Sequence, residues 1–308
     1  MPASSNICFE MTNPTQKTND TPDSNQYSFT LERRKLESGL YLVSTPIGHL
    51  KDITLHALEV ILNCDHIFCE DTRVTGKLLR AYGLKRQLSV YNDHASPDQR
   101  EKLVNLVLEG QSVALLSDAG APLISDPGYK LVRNICNRGG KVMTVPGASA
   151  VISALQLSGL PSDSFSFFGF IPVKSKARDA FLTAKKSNEE TLVFFETVPR
   201  IKKTLDAVSR IFGDRQCAVA RELTKKFETI YRGTAKDILQ AMEKDTVKGE
   251  IVFLIGGCPE GEQGPGNMDD LLRSYMADMS LKDAVEEVSK ILSLPKKQVY
   301  SRALELKE

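Results

Sequence analysis

The sequence predicts an α/β protein of two α/β domains, the first with a parallel sheet and the second with a mixed one, followed by a small helical tail. Three observations carry this. From Leu40 onward, short apolar runs of strand length alternate with stretches of helical periodicity. A chain of 308 residues exceeds what one hydrophobic core commonly fills. A composition 41% hydrophobic and 26% charged is that of an ordinary folded protein.

Taken in order, residues 1–38 are rich in Asn, Thr, Ser, Pro and Asp and show no apolar period, so a disordered leader is expected. The first domain, 39–160, reads as strand LYLVST, helix TLHALEVIL, strand HIFCE, helix TGKLLRAYGL and strand LSVY. It continues through helix QREKLVNLVLEG, strand SVALLS, helix GYKLVRNICNRG, strand KVMTVP and helix SAVISALQLSGL. The turn Pro161–Asp163 opens the second domain, 161–257. Its strands are FSFFGF, TLVFFE, QCAVAREL, FETIYRG and EIVFLIGG, and its helices lie in ARDAFLTAKK, RIKKTLDAVSRIFG and AKDILQAMEK. Two strands meet around Thr224 to Lys226 with no helix between them, which predicts a hairpin and hence a mixed sheet. Residues 258–267, broken by Gly and Pro, form a linker to a helical tail over 268–308. There Ala284, Val288, Ile291 and Leu292 share one face.

Forty basic against 39 acidic side chains leave a net charge of +1, so any nucleic-acid contact must come from local patches. The six cysteines form no Cys-x-x-Cys pair and mostly sit in apolar runs, which suits a reducing compartment. No stretch has signal-peptide or membrane-span character, so a cytoplasmic protein is expected, with no membrane partner. The four histidines share no metal-ligand spacing, and no metal is expected.

Polar, small and turn-forming residues concentrate where strands end. The first strand runs into Ser44-Thr45-Pro46-Ile47-Gly48, where proline fixes the turn and glycine admits close backbone approach. Strand VALLS empties into a loop of twelve residues, Ser117 to Gly128, holding two Asp, two Gly and two Pro. Small side chains there, Ala121 among them, expose main-chain amides and carbonyls that can clasp a flat polar cofactor; the plainer reading is a rigid loop with Asp126 capping the next helix. A third loop, Pro146-Gly147-Ala148-Ser149-Ala150, enters a helix whose free amides suit an acceptor-rich group, unless Ser149 is only its N-cap. Glu70-Asp71-Thr72-Arg73 ends another strand and is read either as a polar site or as a helix cap. Glu196 and Arg221-Glu222 stand at strand ends of the second domain. Lys174, Lys176 and Arg178, with Lys185 and Lys186, could contact phosphates, as could Arg33, Arg34 and Lys35.

Together, LYLVSTPIGHLKDIT, CEDTR, SDAGAPLISDPG, VPGASA, LVFFETVPR and VARELTK resemble, in order and spacing, the ribosomal RNA small subunit methyltransferase I family of the tetrapyrrole methylase superfamily. The likeness spans residues 40–256 and extends to the helical tail, LKDAVEEVSKILSLPKKQVYSRALEL. It implies two α/β domains with S-adenosylmethionine between them, a homodimer, and 2′-O-methylation of a cytidine in the decoding region of small-subunit ribosomal RNA, presented naked or in the assembled subunit; DNA is not an expected partner. By position it implies that Pro46, Ser117, Asp118, Ala121, Ser149, Ala150 and the strand end at Glu196 contact the cofactor, beside Gly48 and Gly147 of the same loops. It implies a polar cleft of Glu70, Asp71, Arg73, Arg221 and Glu222, with the three carboxylates as candidate bases and the arginines on phosphates.

The family usually carries Asn at position 49, Thr at 121, Gly at 123 and Pro at 148, where this chain has His49, Ala121, Leu123 and Ala148. Position 123 matters most, because leucine is disfavoured at a positive φ that glycine tolerates, and it adds bulk beside the expected adenosine. A corrin-type methylase on the same fold and a non-catalytic RNA-binding assembly factor are the competing readings.

Overall fold

A computed structural model describes residues 7–10, 28–92, 95–243, 248–259, 265–292 and 294–306. Within the expected leader, β1 (Ile7–Glu10) pairs antiparallel with β2 (Ser28–Leu31), Ile7 opposite Leu31. Leu31 is buried, and Leu36 packs on the same core. Arg34 N donates to Asn63 Oδ1 (3.0 Å) and Asn63 Nδ2 to Glu32 O (2.8 Å). Leu31, buried, and Leu36, partly buried, with these bonds to a helix end, tie the end of the leader to the first core. The leader's other residues, 1–6 and 11–27, lie outside the described residues.

The first sheet holds β3 (Gly39–Val43), β4 (His66–Cys69), β5 (Ser89–Val90), β6 (Ser112–Leu116) and β7 (Val142–Val145), in the order β5-β4-β6-β3-β7. Each of its pairings is parallel. Its crossovers are α1 (Leu55–Asn63), α2 (Thr72–Ala81), α3 (Pro97–Leu108) and α4 (Tyr129–Asn137), and α5 (Ala150–Ser158) follows its last strand. Successive strand residues point to opposite faces. Tyr41, Val43, Ala114 and Leu116 accordingly pack toward α1, whereas Leu40, Val113 and Leu115 pack toward α3 and α4. Burial on both faces is why β6 reads SVALL, with no polar alternation.

The second sheet has the order β11-β10-β12-β9-β8, from β8 (Phe165–Phe170), β9 (Thr191–Thr197), β10 (Gln216–Arg221), β11 (Thr229–Thr234) and β12 (Glu250–Ile255). Consecutive β10 and β11 are neighbours joined by a short connection, and the sheet is mixed. Its helices are α6 (Ser175–Thr183), α7 (Val198–Phe212) and α8 (Ala235–Glu243). The tail folds as α9 (Pro265–Asp278), α10 (Leu281–Leu292) and α11 (Lys296–Glu305) around Leu272, Val285, Val288, Val299 and Ala303. Ala284 and Val288 of the expected stripe are buried and Leu292 packs on this cluster; the Ile291 side chain and linker residues 260–264 lie outside the described residues.

By contacts the chain divides into two compact units. The first comprises Met1–Leu157, Ala220–Ile230 and Gly249–Val252, and the second Ser158–Val219, Tyr231–Lys248 and Phe253–Glu308. The segments around Glu222 and Glu250, which the linear reading gave to the second domain, thus cluster with the first. Among the described residues no helix is long and apolar enough to cross a membrane.

Candidate active site

Strand register brings the loops together. Cys69 is level with Leu116, Leu116 with Val43, and Val43 with Val145. Glu70, Ser117, Ser44 and Pro146 therefore leave the sheet side by side at its carboxyl edge, where open α/β sheets bind ligands. Thr45 and Gly120 exchange two backbone hydrogen bonds (2.9 and 3.1 Å), and Thr45 Oγ1 donates to Ser117 O (3.0 Å). Ser44 N donates to Val145 O (3.1 Å). Gly147 packs so closely that a Cβ there would lie 2.9 Å from Ser44 Cβ, which is why only glycine fits. Ser149 precedes α5, and Ser149 Oγ accepts from Ile152 N (3.5 Å), so its hydroxyl caps the helix. Ala150 is the first residue of that helix. The N-cap position of α4 is held by Gly128, where the plainer reading of this loop had put Asp126.

Three carboxylates converge at the ends of β4 and β6. Asp118 N donates to Glu70 Oε1 (3.2 Å), and Asp118 Oδ1 accepts from Asp71 N (3.1 Å). Asp71 is the N-cap of α2, accepting from Arg73 N (2.8 Å), and its carboxylate is gripped by the Arg73 guanidinium at 2.5 to 3.1 Å. That hydrogen bonding holds the Asp71 pKa down at about 2. Burial, aided by the charge of Asp71, pushes the Asp118 pKa up, against the Asp71 amide and Arg73. Within Glu70-Asp71-Thr72-Arg73, then, Asp71 caps the helix while Glu70 and the Asp71 amide bond to Asp118.

The connection from β10 to β11 closes on the first turn. His49 N donates to Thr224 Oγ1 (3.0 Å), and a Cβ on Gly48 would fall 2.7 Å from Leu223 O. Lys225 Nζ bridges Glu222 Oε1 (2.9 Å) and Glu250 Oε2 (2.8 Å), while Glu222 Oε1 also accepts from Glu250 N (3.1 Å). Burial raises the Glu222 pKa, but the Lys225 and Glu250 hydrogen bonds outweigh it and leave the carboxyl below its usual range. Arg221 Nη2 donates to Thr229 Oγ1 (2.9 Å). Glu222 (φ 52°) and Thr224 (φ 58°) hold left-handed backbone, as do Leu123 (φ 72°) and Ser125 (φ 66°). Such conformations cost non-glycine residues about 1 kcal/mol or more each. At position 123 the unfavourable φ is therefore real, but the leucine side chain packs on the core beside Leu115 and Leu131.

A pocket of about 250 Å³ opens amid these loops, with Pro46, Gly48, Ser117, Asp118, Thr75 and Lys77 among its lining. The first four were expected from the sequence. Thr75, Lys77 and Lys225 were not: the first two read as ordinary positions of an amphipathic helix, and Lys225 as one of two adjacent lysines. Ala121, Gly147, Ser149, Ala150 and Leu123 do not line it.

Glu196 and the Lys174, Lys176 and Arg178 group belong to the second unit, whereas Arg33, Arg34 and Lys35 belong to the first. The Glu196 carboxylate is fully buried, accepting from Thr204 Oγ1 (2.8 Å) and Thr197 N (2.8 Å) and pairing with Arg200 Nε (3.1 Å). Lys174 and Lys176 are exposed at the start of α6, whereas Arg178 is mostly buried against Asp179 (3.3 Å). Among the described residues no group of three or more His, Cys, Asp or Glu could hold a metal ion.

Residues 39–239 match the family model described as Tetrapyrrole (Corrin/Porphyrin) Methylases, and residues 262–307 match the RsmI C-terminal HTH domain. The chain is 45% identical over 277 residues to the ribosomal RNA small subunit methyltransferase I of Mesorhizobium japonicum, covering 89% of this chain and 94% of that one. Against the protein of the same name from Escherichia coli O157:H7 the identity is 41% over 270 residues, covering 86% and 94%. Among solved structures, diphthine synthase superposes with a TM-score of 0.57 at 14% identity, over 70% of this chain and 89% of that one, a likeness of fold alone.

Proposed function

The chain belongs to the ribosomal RNA small subunit methyltransferase I family, and on that footing we propose that it methylates the ribose 2′-hydroxyl of a cytidine in the decoding region of small-subunit ribosomal RNA. In this reading it acts as a cytoplasmic homodimer with S-adenosylmethionine as donor. The observation that carries it is the convergence at one sheet edge of three loops with small side chains, latched by the Thr45–Gly120 pair and flanked by Glu70, Asp71 and Asp118.

The residues fit the donor. Main chain left uncovered by the small residues Ala119 and Gly147, with the buried Ser117, offers the acceptors and amides that an adenosine needs. The Asp118 carboxylate complements a cationic sulfonium or ammonium group. Pro46, Gly48, Ala121, Ser149 and Ala150 would shape the wall, while Glu196, already committed to Arg200 and Thr204, would support its strand end. The bound donor supplies an electrophilic methyl group. The chain's task is to hold the ribose oxygen in line with it and to accept the hydroxyl proton. Asp71 and Glu222 spend their carboxylates on Arg73 and Lys225, which lowers their proton affinity and weakens each as a base, and Glu70 accepts from the Asp118 amide; the proton acceptor in this reading is one of these three carboxylates. Arg73, whose side chain is 85% exposed, with Lys174 and Lys176, would meet phosphates. Arg221 and Arg178 would steady those contacts through Thr229 and Asp179.

The test is incubation of the chain with methyl-labelled donor and isolated small subunits or naked ribosomal RNA, then nucleoside analysis. Label in 2′-O-methylcytidine supports the reading. Label in an added corrin-type ring, or nowhere, refutes it.

A further inference from the structure

We propose that the cavity beyond the end of β5, bounded by Tyr91, Arg100, Asp126, Tyr129 and Lys130, holds a nucleotide of the RNA strand next to the one that is methylated, with its base on the Tyr129 ring and its phosphate on Arg100 and Lys130. The inference rests on the RNA methylation reading and adds a contact that places the strand without taking part in the transfer.

The cavity measures about 190 Å³ and shares no lining residue with the pocket at Pro46, Gly48, Ser117 and Asp118. It is too small to enclose a whole drug-sized ligand and suits one unit of a longer chain. Tyr91 in its wall is buried, and the Tyr91 amide donates to Cys69 O (2.9 Å). The cavity thus stands one strand over from Glu70, on the same carboxyl edge of the sheet. Neighbouring strands lie only about 4.8 Å apart. An RNA strand whose reacting ribose rests at the Glu70 and Asp71 carboxylates has its next nucleotide within reach of this opening.

The charges suit a phosphate. Among the lining residues Arg100 and Lys130 are basic and Asp126 is acidic, which leaves the wall positive on balance. Arg100 is half-buried, and its side chain makes no hydrogen bond or ion pair among the described residues. A guanidinium held partly out of water with no counter-charge gains from an incoming anion, and its fork matches two phosphate oxygens. Lys130 is exposed beside it. Tyr129 and Lys130 are also the first two residues of α4, so the positive end of that helix dipole lies at the cavity.

Tyr129 supplies what a lone anion would not need. It is 65% exposed, so packing does not account for the ring. An open aromatic face next to cations is how single-stranded nucleic acid is held: the ring stacks on a base of any sequence while the cations meet the backbone. Asp126 in the same wall offers an acceptor to a base amino group, which an inorganic anion lacks.

The test uses the full-length chain and the variants Tyr129→Ala, Tyr129→Phe, Lys130→Ala and Arg100→Gln. Each is measured for kcat and KM on isolated small subunits at several salt concentrations, for donor affinity by calorimetry, and for melting temperature. Tyr129→Ala should raise KM about tenfold, the scale of one lost base stack. Its kcat should stay unchanged, because a contact made equally before and during transfer is lost from binding alone. Tyr129→Phe keeps the ring and should behave like the wild type. Lys130→Ala and Arg100→Gln should raise KM and lower the slope of log KM against log salt by about 0.7 for the phosphate released. Donor affinity and melting temperature should match the wild type throughout. A wild-type KM in Tyr129→Ala would overturn the proposal, as would a phenylalanine variant as weak as the alanine one, a loss of donor affinity, or a rise in KM that tracks a lowered melting temperature. A wild-type chain that labels no RNA fails earlier, at the methylation reading itself, so the two failures are told apart by the arm in which they occur.

Discussion

Leu123 offers the most direct test of the backbone geometry around the site. Its φ of 72° puts an L-residue in the left-handed region, at a cost of roughly 1–2 kcal/mol, while its side chain is half-buried against Leu115 and Leu131. Replacing it by alanine removes the packing and keeps the strain. Replacing it by glycine removes both. For a half-buried leucine the lost packing amounts to about 2 kcal/mol, the low end of the core range. Leu123→Ala should thus be destabilised by about that much. In Leu123→Gly the relief of strain should outweigh the last methyl and the added chain entropy, leaving it about 1 kcal/mol above the alanine variant. In a chain of 308 residues that separates the two melting temperatures by about 1–2 °C. Urea titration and thermal scans on the three proteins read the order directly. An alanine variant as stable as the glycine variant, or more so, would mean that residue 123 does not hold left-handed backbone. Because Leu123 does not line the pocket, both variants should bind donor like the wild type.

Asp118→Ala should weaken donor binding by about tenfold in calorimetry, the scale of one lost charge-assisted hydrogen bond, whereas Arg73→Ala should bind donor normally and methylate poorly. The Arg73 variant also makes a pH prediction. The folded-state pKa of Asp71 lies below its usual 3.8, near 2, so the stabilisation from this pair is complete above pH 4 and disappears as pH falls through 2. The melting-temperature gap between wild type and Arg73→Ala should close over that interval, and a gap that widens instead would contradict the assignment. Gly147→Ala puts a Cβ 2.9 Å from Ser44 Cβ and should cost about 1–3 kcal/mol, read as a lowered melting temperature. Glu196→Gln breaks a buried pair with Arg200 and should cost about 3 kcal/mol; a variant that melts like wild type but binds no donor would make Glu196 a donor ligand rather than a strut.

The alternation of apolar runs with helical stretches was enough to read both sheets, because strands buried on both faces carry no other pattern. The turns at Pro46, Ser117 and Gly147 were legible for a related reason: a loop that must approach another loop tolerates only small residues, and those stand out between apolar strands. What stayed hidden depends on contacts between residues far apart in the chain. Nothing local announces that Thr224 will bond to His49, 175 positions away, or that Glu222 will be spent on Lys225 and the amide of Glu250. Leu31 lies in a polar leader, and its partners on α1 lie beyond any local window.

The reciprocal amides of Thr45 and Gly120 weld two segments into a single moving part. Anything that pulls the proline turn must drag the aspartate loop with it. Deuterium uptake at these two amides should slow in concert when either ligand is added alone.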